Sequence, residues 1–341
     1  MTNASRRRSR TAPAHLLAIC LSLLLAPDGQ PGSTVDVTFQ SGDATLAGSL
    51  TIPPALGRKP AVVLIGGSGP SSGSTMTPFA DHLSGLGLVT LVYDKRGSGR
   101  STGSWATASL EGLVDDAEAA MRFVAARPEV DPARVGVWAV SQGGWIVSAL
   151  ARRSTPPAFA IVLTGGGTTP REVELYGHRN QLEHAGATRA EREEAEALLA
   201  RYFDWLGTGE GRPALDRAIE EARGTSWYKV LSLDRVLPSE RNRPNWAWVA
   251  AYDPVPDIAR MRMPVLIVLG DLDRQAAAGP AAAAWREGLD RAGNRSFEIV
   301  IIPGMGHAAV EGGVHRPGAP RSARYFSTVE NWVRAVLLDK P

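Results

Sequence analysis

The chain has 341 residues, is 44% hydrophobic and 21% charged, and contains 36 glycines and 24 prolines. That composition excludes disordered, collagen-like and coiled-coil architectures and fits one large α/β domain with an insertion, or two medium domains. The formal charge is +2, but residues 1–26 hold four arginines and no acid, so the remainder carries −2 and has no cationic excess with which to bind nucleic acid.

The first 26 residues read as a signal peptide. Arg6, Arg7, Arg8 and Arg10 form a positive start, and Leu16 to Ala26 form an apolar run too short to span a bilayer comfortably. Cleavage near Ala26 predicts an exported chain with no stable membrane span; the competing reading is an uncleaved anchor. Cys20 is the single cysteine. Without it the mature chain has no disulfide, cysteine nucleophile or thiolate metal site.

Next, Val35–Gln40 and Ala44–Ile52 alternate as two strands around the turn Ser41-Gly42-Asp43. Short, continuous apolar runs follow at Ala61–Ile65, Val89–Tyr93, Val135–Val140, Phe159–Leu163, Pro264–Leu269 and Phe297–Ile302. Such runs suit strands buried on both faces of a parallel sheet. Helix-forming stretches at 75–86, 109–127, 143–153, 279–292 and 321–337 separate most of them. This alternation predicts a doubly wound α/β sheet. It fails between 168 and 252, where residues 188–224 are rich in Glu, Arg, Ala and Leu. The expected organisation is therefore a core of 35–167 and 253–338 with a helical lid inserted at 168–252. Trp205, Trp227, Trp246 and Trp248 in the insertion are expected over the pocket; a plain packing subdomain is the alternative.

Val135–Val140 runs directly into Ser141-Gln142-Gly143-Gly144 and a helix. A serine at such a turn is exposed as a nucleophile, and the tight backbone needs small residues two before and two after it, here Ala139 and Gly143. The partners of a triad on such a sheet follow in the order acid, histidine. Gly270-Asp271-Leu272-Asp273 follows one strand and Pro303-Gly304-Met305-Gly306-His307 follows the last, both at the edge that carries Ser141. His307 is the expected base, with His315 as the reserve; His15 lies in the leader, His82 in a helix, and His178 and His184 in the lid. Of the two aspartates, Asp273 reaches farther over the sheet edge than Asp271. An oxyanion hole requires two backbone N–H donors. Gln142, after the nucleophile, supplies one, and the loop Gly66-Gly67-Ser68-Gly69-Pro70 supplies the other, with Ser68 favoured.

Taken in order, these pieces resemble the α/β-hydrolase superfamily over nearly all of residues 35–338. The likeness is greatest to exported bacterial serine hydrolases related to dienelactone hydrolases and prolyl-oligopeptidase-type hydrolase domains. It is carried by Gly67-Ser68-Gly69-Pro70, Tyr93-Asp94-Lys95-Arg96-Gly97-Ser98-Gly99-Arg100-Ser101, Asp131-Pro132-Ala133-Arg134-Val135-Gly136 leading into Ser141, and Tyr252-Asp253-Pro254 before Pro264-Val265-Leu266. The family pattern, a glycine followed two or three residues later by the acid, also selects Asp273. Asp94–Ser101 reads as a structural loop near the site. The resemblance implies ester hydrolysis through an acyl-enzyme on Ser141, with His307, Asp273 and no metal or organic cofactor. Its substrate is a small-molecule ester, apolar if the lid aromatics line the pocket.

Rival readings fare worse. Gly97-Ser98-Gly99-Arg100-Ser101-Thr102-Gly103 has the wrong last spacing for a dinucleotide fingerprint, and no Tyr-x-x-x-Lys pair exists to support a reductase. A dehalogenase or epoxide hydrolase needs a carboxylate where Ser141 stands. A small peptidase, a thioesterase, an acyltransferase and a non-catalytic hydrolase-like binding protein stay open.

Overall fold

A computed structural model describes Met1 and residues 32–54, 57–233, 237–313 and 318–339. The expected signal segment, Met1 apart, and the reserve base His315 lie outside the described residues.

Eight strands form one sheet: β1 (Ser33–Ser41), β2 (Ala44–Ile52), β3 (Lys59–Ile65), β4 (Val89–Tyr93), β5 (Val130–Val140), β6 (Ala160–Leu163), β7 (Val265–Gly270) and β8 (Phe297–Ile302). Their order is β1-β2-β4-β3-β5-β6-β7-β8. β2 runs against both of its neighbours, and β3 to β8 are mutually parallel. The chain leaves β3 on one side for β4 and returns on the other side as β5. In such sheets ligands bind in the crevice where the order reverses, at the carboxyl ends of the strands. Here the crevice lies between the loops that follow β3 and β5.

Each parallel strand is apolar on both faces because both faces are covered. Ala61, Val63 and Ile65 of β3 join a core with α2 (Leu110–Ala125), α3 (Gly143–Leu150) and α10 (Ala278–Arg291). Val62 and Leu64 join a second core with α1 (Thr77–Gly85) and α11 (Ala323–Val333). In that second core Trp138, fully buried on β5, donates its indole N–H to the Tyr325 hydroxyl at 2.7 Å. β5 begins earlier than Val135: Lys59 pairs with Val130 but Ala61 pairs with Val135, so Asp131–Arg134 bulges out. Pro132 has no N–H to give the ladder, which forces pairing to skip it.

Between β6 and β7 the chain forms α4 (Pro170–His184), α5 (Arg189–Thr208), α6 (Arg212–Ala222), α7 (Ser226–Leu231), α8 (Arg243–Ala251) and α9 (Val255–Ile258). Thr169 and Thr188 start α4 and α5 with reciprocal caps to Glu172 and Glu191. This segment has its own core, in which Leu199, Phe203 and Trp205 of α5 meet Ile219 of α6 and Trp227 of α7. The expectation that all four tryptophans face the pocket is therefore corrected. Trp205 and Trp227 are buried among these helices, because six short helices set off from the sheet need apolar filling of their own. Trp248 on α8 packs against the sheet core, and Trp246, at the edge of the insertion core, also reaches the sheet domain. Trp246 donates to the Ala106 carbonyl at 2.7 Å, and Trp248 meets Trp145 edge-on with ring centroids 5.9 Å apart.

Candidate active site

β5 delivers Ser141 at the point where strand becomes helix. The serine has φ +55, a left-handed conformation that an L-residue adopts only under constraint. The constraint is visible on both sides: Ser141 donates its N–H to the Leu163 carbonyl at 3.1 Å, and its own carbonyl accepts from Gly144 at 2.9 Å. The elbow folds tightly enough that a Cβ on Gly143 would lie 2.9 Å from both the Ala139 Cβ and the Ile65 carbonyl oxygen. Alanine at 139 is tolerated only because 143 is glycine.

His307 and Asp273 come from the loops after β8 and β7. Gly270 makes their approach possible, since a Cβ there would lie 2.1 Å from the Met305 carbonyl oxygen as the later loop crosses the end of β7. Leu272 donates to that same carbonyl at 3.0 Å. His307 Nδ1 is 2.8 Å from Asp273 Oδ2. Asp273 is 3% exposed, and its other oxygen accepts the N–H groups of Gln275 (2.7 Å) and Ala276 (3.0 Å). Asp271 is exposed and bonds Gly304 N–H at 2.7 Å. The geometry thus joins His307 to Asp273 and leaves Asp271 at the rim.

Ser141, His307 and Ser68 line one cavity of about 400 Å³. Gly67 brings the β3 loop close, with a Cβ at that position falling 3.3 Å from the Ser141 Cβ. Among the described residues the N–H groups of Ser68 and Gln142 have no other acceptor. The far wall is α4, which contributes Val173, Glu174, Gly177, His178 and Gln181, while Trp145 of α3 closes one side. None of the four insertion tryptophans lines this cavity. Trp246 and Trp248 border a small neighbouring space with Lys95 and Gln142. Glu174 and His178 lie 3.7 Å apart; burial raises the Glu174 carboxyl pKa and lowers that of the His178 imidazole.

Sequence reasoning missed five residues. Trp145 reads as core packing beside the elbow, His178 is assigned only to the lid, and Glu174 and Gln181 belong to no motif. Their spacing on one side of α4 was the available signal, but nothing in the sequence orients that side toward Ser141. Lys95 falls in the segment Asp94–Ser101, which reads as a structural loop. It is 6% exposed, and its ammonium donates to the Gly67 carbonyl and, at 2.9 Å, to Gln142 Oε1. Among the described residues no group of three or more His, Cys, Asp or Glu side chains is arranged to hold a metal ion, and no helix is long and apolar enough to cross a membrane.

Comparison with known proteins bears on the fold and on the part of the chain that carries Ser141. The family described as serine aminopeptidase, S33, matches residues 57–214. An uncharacterised protein of Mycobacterium tuberculosis is 33% identical over 138 residues, 40% of this chain and 47% of that protein. Esterase EstD of Thermotoga maritima is 25% identical over 285 residues, 81% of this chain and 61% of the esterase. The chain thus spans less than two thirds of the length of these curated relatives. Among solved structures, an esterase of Pyrococcus furiosus shares the fold with a TM-score of 0.58 and 14% identity, covering 90% of this chain and 92% of that one. The sheet order, the turn that carries Ser141 and the solved neighbours agree on an α/β-hydrolase fold, with the serine aminopeptidase family matching just under half of the chain.

Proposed function

We propose that the protein hydrolyses small carboxylic esters through an acyl-enzyme on Ser141. The observation that carries this reading is the 2.8 Å bond between His307 Nδ1 and buried Asp273, in the cavity that also holds the strained Ser141. Asp273 holds the imidazole proton on Nδ1, which leaves Nε2 as the base. Ser141 Oγ attacks the ester carbonyl as Nε2 takes its proton. The resulting oxyanion rests on the Ser68 and Gln142 N–H groups. The oxyanion collapses to the acyl-enzyme as His307 protonates the departing alcohol; His307 then takes a proton from water as its oxygen attacks the acyl carbonyl, and returns that proton to Ser141 Oγ as the acid leaves. Every step is a proton or acyl transfer that these residues balance among themselves.

Ser141→Ala tests it directly. Folding should be retained while turnover of p-nitrophenyl esters falls about 10⁴-fold or more, as for triad removal generally. Activity within tenfold of the parent would reject the assignment. Labelling of the parent chain by a fluorophosphonate, absent in Ser141→Ala, separates an enzyme from a hydrolase-like binding protein.

A second reading, cleavage of aminoacyl amides, is favoured by one observation. Glu174 opens a carboxylate into the cavity, where a substrate ammonium would find a counter-charge, and the matching family is described as an aminopeptidase. Aminoacyl anilides assayed beside acetate and butyrate esters decide between the two. Glu174→Gln should lower anilide turnover selectively if the second holds.

The polar α4 wall favours short or polar acyl groups over the long apolar chains that a tryptophan-lined lid would suit. Export rests on the arginine-rich start and apolar run of residues 1–26. N-terminal sequencing from the native host should begin between about Pro27 and Val35, whereas intact Met1 in the soluble cytosol would refute it.

A further inference from the structure

Lys95 is an unusual residue to find buried at the carboxyl end of a parallel strand. It follows β4, in the loop Asp94–Ser101. That loop is fixed independently: Asp94 accepts the N–H groups of Gly73 (2.7 Å) and Arg100 (2.9 Å), and Ser101 Oγ donates to the Asp94 carbonyl at 2.6 Å. Lys95 therefore does not hold its own loop together. Its ammonium bridges two other segments, the Gly67 carbonyl after β3 and the Gln142 side chain after β5.

These two acceptors belong to the residues that flank and form the oxyanion hole. The Gly67 carbonyl and the Ser68 N–H are the two ends of one peptide unit. In a trans peptide they point in opposite directions, and no cis bond occurs among the described residues. A cation held on the carbonyl fixes the plane of the peptide and so aims the N–H. It also draws electron density toward the carbonyl, which makes the N–H a stronger donor. On the other side, the same ammonium ties down the side chain of the residue that supplies the second N–H.

We infer that Lys95 is the positioning residue of the oxyanion hole: its ammonium pins and polarises the Gly67–Ser68 peptide, steadies Gln142, and places a positive charge behind the site where the oxyanion forms. This rests on the acyl-transfer reading of the cavity.

The charge environment supports the role. Both direct acceptors are neutral. Asp116 on α2, whose charge acts on Lys95, is engaged by Arg96 through two bonds of 2.7 Å. Asp94 on the same loop is spent on backbone N–H groups, Tyr93 on β4 has its hydroxyl pKa pushed far up by burial, and α8 presents only Trp246 and Trp248. His307 faces the same cavity as Ser68. Burial lowers the Lys95 ammonium to about 8, with Asp116 pulling the other way. An ammonium without a close counter-ion is better stabilised once a negative oxygen develops nearby, so its effect is greater in the transition state than in the resting enzyme.

The test is the pH dependence of kcat for the parent chain, Lys95→Met and Lys95→Arg on a p-nitrophenyl ester. Methionine keeps the stem and removes the charge; kcat should fall about 10²-fold, the size of losing one oxyanion donor, with KM nearly unchanged. In the parent, kcat should decline above about pH 8 as the ammonium deprotonates. That decline should be missing from Lys95→Met and from Lys95→Arg, whose charge does not titrate in this range. A folded Lys95→Met within threefold of the parent kcat, or one that keeps the decline near pH 8, overturns the inference. If neither variant folds, the parent decides. Affinity for a trifluoromethyl ketone, which forms an oxyanion on Ser141, should fall across the same range; a flat profile to pH 10 overturns the inference. Ser141→Ala keeps the two failures apart. If it stays active, the site reading falls and takes the inference with it; if it is inactive while Lys95→Met behaves as the parent, the inference alone falls.

Discussion

At the scale of single residues, the two aspartates after β7 divide by environment. Asp273 is enclosed, accepts two backbone N–H groups and bonds His307, whereas Asp271 serves only to hold Gly304 at the surface. Asp273→Asn should present an amide to Nδ1, favour the wrong tautomer and lower kcat by about 10⁴ with little change in KM. Asp271→Asn should stay within about tenfold of the parent, and steady-state kinetics on one ester compares them. That Ser141, His307 and Asp273 come together was readable because each follows an apolar run that announces a strand end, with the acid ahead of the histidine in the chain. Lys95 was not, because its partners lie 28 and 47 positions away in the chain. Only the pairing of β3 with both β4 and β5 brings the three together, and no local pattern encodes that.

At the scale of elements, the elbow and the insertion differ in how much the sequence revealed. The elbow depends on atoms close in the chain, so small residues at 139 and 143 are a direct signature. Gly143→Val should place new methyls against Ala139 and the Ile65 carbonyl. The expected loss is about 1–3 kcal/mol of stability, as for overpacking, together with most of the activity; urea denaturation followed by ester assay measures both. The insertion was legible as helical from its composition and from the break in strand alternation. Its orientation was not. Tryptophans in a helical stretch do not say whether they meet a substrate or another helix, and Trp205 and Trp227 meet other helices. The face of α4 that does meet the cavity is polar, which by pattern alone is indistinguishable from one facing water.

At the scale of the whole molecule, the strands were legible because continuous apolar runs have one economical use, burial on both faces. Strand order was left to the structure, since any order of such runs satisfies the pattern. The buried titratable groups predict how stability follows pH. Lys95 has a lower pKa folded, about 8, than its ordinary 10.5. The unfolded chain therefore binds more protons between these values, and stability rises with pH across that window. Tyr93, Tyr202, Tyr252 and Tyr325 are shifted upward, burial being the leading cause for each. Their contribution is fully present below about pH 10, the ordinary tyrosine value, and is lost above it. Urea midpoints should rise from pH 8 toward 10 and then fall; Lys95→Met should remove the rise and keep the fall.

The left-handed backbone at Ser141 sets the protein's function against its durability. Glycine is the residue that accepts φ +55 freely, and alanine, lacking the hydroxyl, still carries the Cβ that resists it. Of two inactive variants, Ser141→Gly should therefore melt later than Ser141→Ala, by an amount on the order of 1 kcal/mol. Selection for turnover would then hold position 141 away from the residue that best suits its backbone. Under the proposed ester hydrolysis, a lineage released from selection for turnover should drift first at this position, keeping the sheet and losing the serine.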